Sequence, residues 1–338
     1  MTSIAEVSVT ISPARRGKPT FYDIMTSSDP EPSSTRLAPH AASMLLVTVI
    51  LLWGVNWPIM KYGLQYIPPI AFAAARMVLG TAILAAVAAW RGQLKWPHRE
   101  DWPVVVSVGL LQMAAFSALV NLGLQYVSAG RSAILAYTTP LWVLPLAVWR
   151  LREPLTRLRL LGVTLGLAGV VILFNPLAFD WRDPQVLFGN GALLLAALLW
   201  AVLIVQVRGH RWRGTPLSLA PWQTGIAALV LLPLSLALED VAHIRWEAPL
   251  WIILLYNGPI TTAFCFWAMI TVTRALPAIT TSLATLSVPL VGYLASMAML
   301  GEALPWNDLA GFVFILTGLV AATLDDALRH RRSRANRI

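Results

Sequence analysis

The side chains of this sequence with the most capacity for chemistry are single polar or aromatic groups set inside long apolar runs, and they fall at helical spacing. Trp53, Asn56, Trp57 and Met60 stand at i, i+3, i+4 and i+7, so a helix would place them on one face, with Asn56 as its only strongly polar group. Asn257, Thr261 and Phe264 form a second such face, and Thr285, Pro289, Gly292 and Ser296 a third, small and polar. Gln112, Tyr137, Trp200, Gln206 and Tyr293 add hydrogen-bonding groups on apolar or aromatic bodies. Such groups recognise a small molecule by hydrogen bonding and stacking. Hydrogen bonds between neighbouring helices would use the same faces, and both readings stand.

Catalytic chemistry is not indicated. The histidines (His40, His98, His210, His243, His330) fall in tails or connections, Cys265 is the only cysteine, and no nucleophile, base and acid are grouped. The expectation is a protein that is not an enzyme, with no metal site, no cofactor and no intrachain disulfide.

Three charges need separate readings. Arg76 interrupts an apolar run, with 14 uncharged residues on either side before Lys61 and Arg91. A central Arg costs about 2.5–3.5 kcal/mol on insertion scales. It either snorkels to the headgroups or faces inward, as an anchor for a substrate carboxylate or as a cavity-facing hydrogen-bond donor. Glu153, among Arg150, Arg152, Arg157 and Arg159, and Glu302 lie at the ends of apolar runs, where capping a helix or pairing with Arg suits them better than carrying protons. No Asp or Glu is expected well inside a span, so a proton relay lacks its usual group and uniport or exchange is favoured.

The elements that must position these residues follow from composition. With 57% hydrophobic and 12% charged residues, the chain cannot cover a soluble surface. The net charge of +9 resides in short connections between apolar runs, where it orients helices and does not imply nucleic acid. Spans are expected at 44–63, 70–90, 102–124, 131–149, 158–175, 188–208, 217–238, 248–271, 278–299 and 306–325. Residues 1–43 read as a disordered cytoplasmic tail and 326–338 as a basic one. The excess of Lys and Arg on one side puts both termini in the cytoplasm, in agreement with an even helix count. Trp96, Trp102, Trp246 and Trp306 read as interfacial anchors.

The sequence also repeats itself. Shifted by 149 positions, Ala129, Pro140, Glu153, Gly162 and Gly169 meet Ala278, Pro289, Glu302, Gly311 and Gly318 without a gap; at 147, Trp53 meets Trp200 and Arg76 meets Gln223. Five helices per half is odd, so the expected fold is an all-α integral membrane protein of ten transmembrane helices in two inverted repeats, 44–175 and 188–325. Pro140 and Pro289, expected near the middle of their helices, would be paired hinges or static kinks. The glycine pairs would pack helices within the bundle or form a weak dimer.

The WGVNWPIMK stretch (Trp53 to Lys61), the Pro69-to-Arg76 spacing, the two prolines each thirteen residues before a Glu, and the duplicated Gly pairs resemble the drug/metabolite transporter superfamily, and within it the EamA-type carriers. The resemblance spans about residues 45–325. Gln223 in place of Arg, and Arg131 in place of a small residue, depart from the pattern. The resemblance implies export of small metabolites, often amino acids, through a cavity built from helices one to four and six to nine. Toxic-compound efflux, lipid handling or a membrane enzyme are the competing readings.

Overall fold

The computed structural model describes residues 39–151, 156–174, 182–207, 210, 212–276, 281, 284–303 and 305–335. The described residues form helices and connections, with no strand among them. In chain order the helices are α1 (Pro39–Gly63), α2 (Pro69–Trp90), α3 (Trp102–Tyr126), α4 (Ala129–Arg150), α5 (Arg157–Phe174), α6 (Pro184–Val207), α7 (Pro216–Leu238), α8 (248–275), α9 (Ser287–Leu300) and α10 (Trp306–Ala335). Among the described residues seven, α1 to α4 and α6 to α8, are long and apolar enough to cross a membrane.

Their starts are written in proline. Pro69, Pro184 and Pro216 open α2, α6 and α7, where a missing N–H leaves nothing unsatisfied. Thr215 and Asp183 cap the starts of α7 and α6, accepting from Ser218 N at 3.2 Å and Gln185 N at 2.8 Å. Gly301, at φ 65°, ends α9 in the left-handed region that favours glycine. Large apolar side chains such as Leu229, Leu236 and Ile252 face outward, as lipid-facing helices require.

Two boundaries differ from the sequence reading. The first helix begins at Pro39, inside the expected tail, because His40 to Ser43 offers no helix breaker. The last helix runs to Ala335 through the Ala- and Arg-rich segment after residue 325, where helix propensity continues past the apolar run. Glu153 lies outside the described residues.

Two helices contain π segments: Val108–Ala115 in α3 and Tyr256–Phe264 in α8. Their starts are 148 and their ends 149 positions apart. The prolines behave differently from a mid-helix kink. α4 breaks in a turn at Tyr137 and Thr138, and Pro140 then sits in the first turn of a new helical segment; α9 likewise starts after a turn at Leu286, with Pro289 in its first turn. Each proline therefore begins a helix after a break, where its ring and missing N–H are tolerated.

The bundle pairs α2 with α7, α3 with α6, α1 with α9, and α5 with α10. The last contact is built of glycine: a Cβ on Gly169 would sit 2.6 Å from the Gly311 carbonyl oxygen, and one on Gly318 would collide with the backbone of Gly162 and Gly166. Both Gly pairs are thus occupied within the chain. Gly318→Val is expected to lower the yield of monodisperse protein in detergent severalfold. Gly191→Val, where an added Cβ meets nothing within 4 Å, is the control expected to leave it unchanged; equal yields contradict the packing.

Candidate functional site

Six side chains on the first six helices keep accessible surface. Trp53 of α1, Arg76 of α2, Gln112 and Phe116 of α3, Tyr137 of α4 and Trp200 of α6 are all half-buried, although their positions lie well inside their helices. Three of them touch: the Trp200 ring lies 5.0 Å from Phe116 at 65° and 6.3 Å from Tyr137 at 79°, edge to face. Tyr137 also packs with Trp53 on the cluster around Leu46 and Ile50, so this aromatic wall reaches from α1 to α6. Phe116, next to the π segment of α3, was not singled out from sequence because a lone Phe in an apolar run carries no signal.

On α8 the π segment changes which residues share a face. A wider turn adds a residue, so the face that begins at Asn257 passes through Thr261 and Thr262 and continues to Phe266. Thr262 accepts from Arg76 Nε at 3.3 Å, and Phe266 packs in the cluster that includes Trp200. Phe264, expected on this face from 3.6-residue spacing, instead stands 36% exposed with its ring against Trp267. The sequence carries the composition of this segment but not its pitch.

Several expected cavity residues are buried among neighbouring helices or stand at helix ends. Trp57 is 5% exposed against α9, where a Cβ on Gly292 would sit 3.1 Å from it. Tyr293 is buried at the helix end that carries Glu302, its hydroxyl donating to Ala303 O and Asp308 Oδ2, both at 3.3 Å. Its polar tip needs partners, and α10 supplies them. Gln206 is exposed on the last turn of α6, and Thr285 half-buried before α9. Asn56, Asn257 and Thr261 are buried, with Thr261 Oγ1 donating to Asn257 O at 2.9 Å and Trp53 Nε1 to Thr261 O at 3.2 Å.

The Glu302 end is closed by charges set on helix termini. Glu302 accepts from Ala129 N at 2.6 Å and Gly130 N at 3.0 Å, the first N–H groups of α4. Glu239 does the same for α2, at Ile70 N and Ala71 N (2.8 and 2.7 Å). Lys61 Nζ donates to the carbonyls of Leu124, Gln125 and Val127 at the end of α3 (2.5, 3.0 and 3.1 Å). Each sign matches the helix end it meets. Asp308, in the first turn of α10, is buried within electrostatic reach of Arg131. A buried carboxylate was not anticipated from sequence, because residue 308 reads as the rim of its span.

At the opposite end Asp101, before α3, is buried and accepts from Arg213 N (3.1 Å), Gly214 N (2.8 Å) and His210 Nε2 (3.0 Å). Trp96 lies on Trp222 and Trp102 beside it, as an interfacial group. Among the described residues no His, Cys, Asp and Glu gather into a metal site.

Long apolar helices around a half-buried interior of aromatic, amide and hydroxyl groups are the build of a multi-pass membrane transporter. Residues 40–175 and 187–324 each match the model of the EamA-like transporter family, and the chain belongs to that family. The uncharacterized transporter YoaV of Bacillus subtilis (strain 168) is 26% identical over 278 residues, 82% of this chain and 95% of that protein. A protein of Salmonella typhimurium (strain LT2) named "Probable amino-acid metabolite efflux pump" is 26% identical over 290 residues, 81% of this chain and 92% of its own. One solved crystal structure shares the fold, with a TM-score of 0.59 at 22% identity, covering 84% of this chain and 96% of that one.

Burial alone raises the pKa of Asp101, but hydrogen bonds from Arg213 N, His210 and Gly214 N, with the His210 charge, outweigh it and hold the carboxyl below its ordinary value. A depressed folded pKa means stabilisation that is complete above the unfolded value of about 3.9 and is lost as pH falls through the folded one. Asp101→Asn is therefore expected to melt a few degrees lower than the parent protein in detergent at pH 7, the difference shrinking below about pH 4. A gap that does not change with pH contradicts the charge-based clasp.

Proposed function

We propose that this carrier exports small metabolites, amino acids foremost and aromatic ones among them, across the cytoplasmic membrane by alternating access. The observation that carries the reading is the interior wall, in which Trp53, Phe116, Tyr137 and Trp200 offer stacking surface next to Gln112 and the Thr262–Arg76 pair. The name of the Salmonella relative points the same way.

The architecture supporting it is ten spans in two inverted repeats. Two family matches of similar length, π segments whose starts are 148 and ends 149 residues apart, and helix breaks at Tyr137 and Leu286, 149 apart, speak for duplication. By the positive-inside rule the Asp101 end and both termini face the cytoplasm, and the Glu302 end faces outward. The α4 and α9 breaks then serve as paired hinges around a midplane site. With its glycine faces used internally, the carrier works as a monomer. Asp308 is buried next to Arg131 at the outer end, away from the aromatic wall, which favours exchange or uniport over proton coupling. Toxic-cation efflux would want an anionic group on the wall, and Arg76 has the opposite sign.

Counterflow in proteoliposomes, preloaded with one unlabelled amino acid at a time and without pH or sodium gradients, tests this directly. Saturable uptake of labelled phenylalanine is expected. Phe266→Ala should raise its half-saturation concentration severalfold while Phe264→Ala leaves it within twofold. Silence across the amino-acid panel from folded, inserted protein overturns the proposal.

A further inference from the structure

Where α1, α2 and α8 meet, the structure holds one half-buried cation, Arg76, and two buried amide oxygens without a hydrogen-bond partner, those of Asn56 and Asn257. Gly63, Phe72 and Ile253 fix a common level for the three helices, since a Cβ on Gly63 would sit 3.1 Å from both neighbours. Arg76 lies one turn further in on α2, Asn257 one turn further on α8, and Asn56 two turns further on α1, so along the helix axes all three lie about 6–10 Å from that level.

Arg76 is poorly answered there. Its Nε reaches Thr262 Oγ1 at 3.3 Å and its Nη1 reaches Met60 Sδ at 3.3 Å, two neutral partners, one of them a weakly accepting thioether, for a group with five donors. Neither an ion pair nor a neighbouring charge engages it among the described residues. Asn56 and Asn257 are 5% and 0% exposed, and the Oδ1 of each lacks a hydrogen-bond partner. For Asn257 the orientation is set by its Nδ2, which donates to Ile253 O at 3.1 Å. Asn56 stands on the same face of α1 as Met60, one turn away, and Met60 itself touches Arg76. Unanswered buried polar groups are costly, and on these three adjoining helices a cation with only neutral partners and two amide oxygens without partners occur together.

Resting on the amino-acid reading above, we infer that Arg76, Asn56 and Asn257 form the subsite for the zwitterionic head of the substrate. The guanidinium binds the α-carboxylate as its missing counter-ion, and the two amide oxygens accept from the α-ammonium. The side chain of the amino acid then extends toward the aromatic wall. Each ionic group supplies what the corresponding protein atoms lack, so a molecule carrying only one of them leaves the other protein partners unmet.

The test is competition in wild-type proteoliposomes. Counterflow of labelled phenylalanine is inhibited by unlabelled phenylalanine, by 3-phenylpropanoate, which lacks the ammonium, or by 2-phenylethylamine, which lacks the carboxylate. Charged hydrogen bonds predict half-inhibitory concentrations about 10- to 100-fold higher for both analogues. In Arg76→Gln the gap between phenylalanine and 2-phenylethylamine should close, and in Asn257→Leu the gap to 3-phenylpropanoate should narrow. Inhibition by either analogue as strong as by phenylalanine overturns the subsite while leaving the exporter intact. Absence of phenylalanine counterflow overturns the aromatic amino-acid reading and the subsite with it.

Discussion

Inside a bilayer a polar group finds no water, so each must be answered within the protein, and most of this structure follows from how that demand is met. Helices answer their own interior N–H and C=O groups and leave the first and last turns exposed. In this chain full charges answer several of those turns. Glu302 holds the start of α4, Glu239 the start of α2, and Lys61 the end of α3, so three helix termini on one face are bound by groups from other helices. Asp101 binds the connection before α7 on the other face. These clasps tie distant parts of the sequence together at the two surfaces, while small residues set how closely the helices approach between them.

The corner between α1, α2 and α8 is answered differently. Among the described residues the charges named above meet helix ends, whereas Arg76 meets a threonine hydroxyl and a thioether; the Asn56 and Asn257 oxygens meet nothing, as do those of Asn121 and Asn190 in α3 and α6. A transporter needs such a place. If its binding groups were already satisfied by the protein, a substrate would have to break existing bonds to gain new ones. Groups left waiting give the substrate an advantage over an empty interior, and Trp53, bonded to Thr261 O, holds α1 and α8 together beside them.

The sequence made much of this legible. Apolar runs located most of the helices, although the first begins five residues before and the last ends ten residues after the expected bounds, and isolated Asn56, Asn257 and Arg76 stood out because polar groups in apolar runs need a reason. What it could not show depended on pitch and on contacts between distant segments. Phe264 was expected inward because a regular helix was assumed, and the π turn of α8 brought Phe266 to that face instead. Trp57 and Tyr293 resemble ligand-binding residues in one dimension; Gly292 and Asp308, far along the chain, turn them into packing and bracing groups. Pro140 and Pro289 read as kinks, yet each begins a helix, because the break precedes the proline by one or more residues. That break leaves a turn in the membrane interior, a natural place for two helical segments to change their angle.

The most direct test of the account is chemical protection at the corner itself. Cys265 is the sole native cysteine and is buried, so Cys265→Ser provides a clean background into which Asn56→Cys is placed. The rate at which a small maleimide alkylates the new thiol in proteoliposomes is then measured with and without saturating phenylalanine. The account predicts slow but complete labelling that phenylalanine retards severalfold and 2-phenylethylamine does not. Labelling at the same rate with every amino acid, in protein that still exchanges them, would place the substrate elsewhere and contradict it.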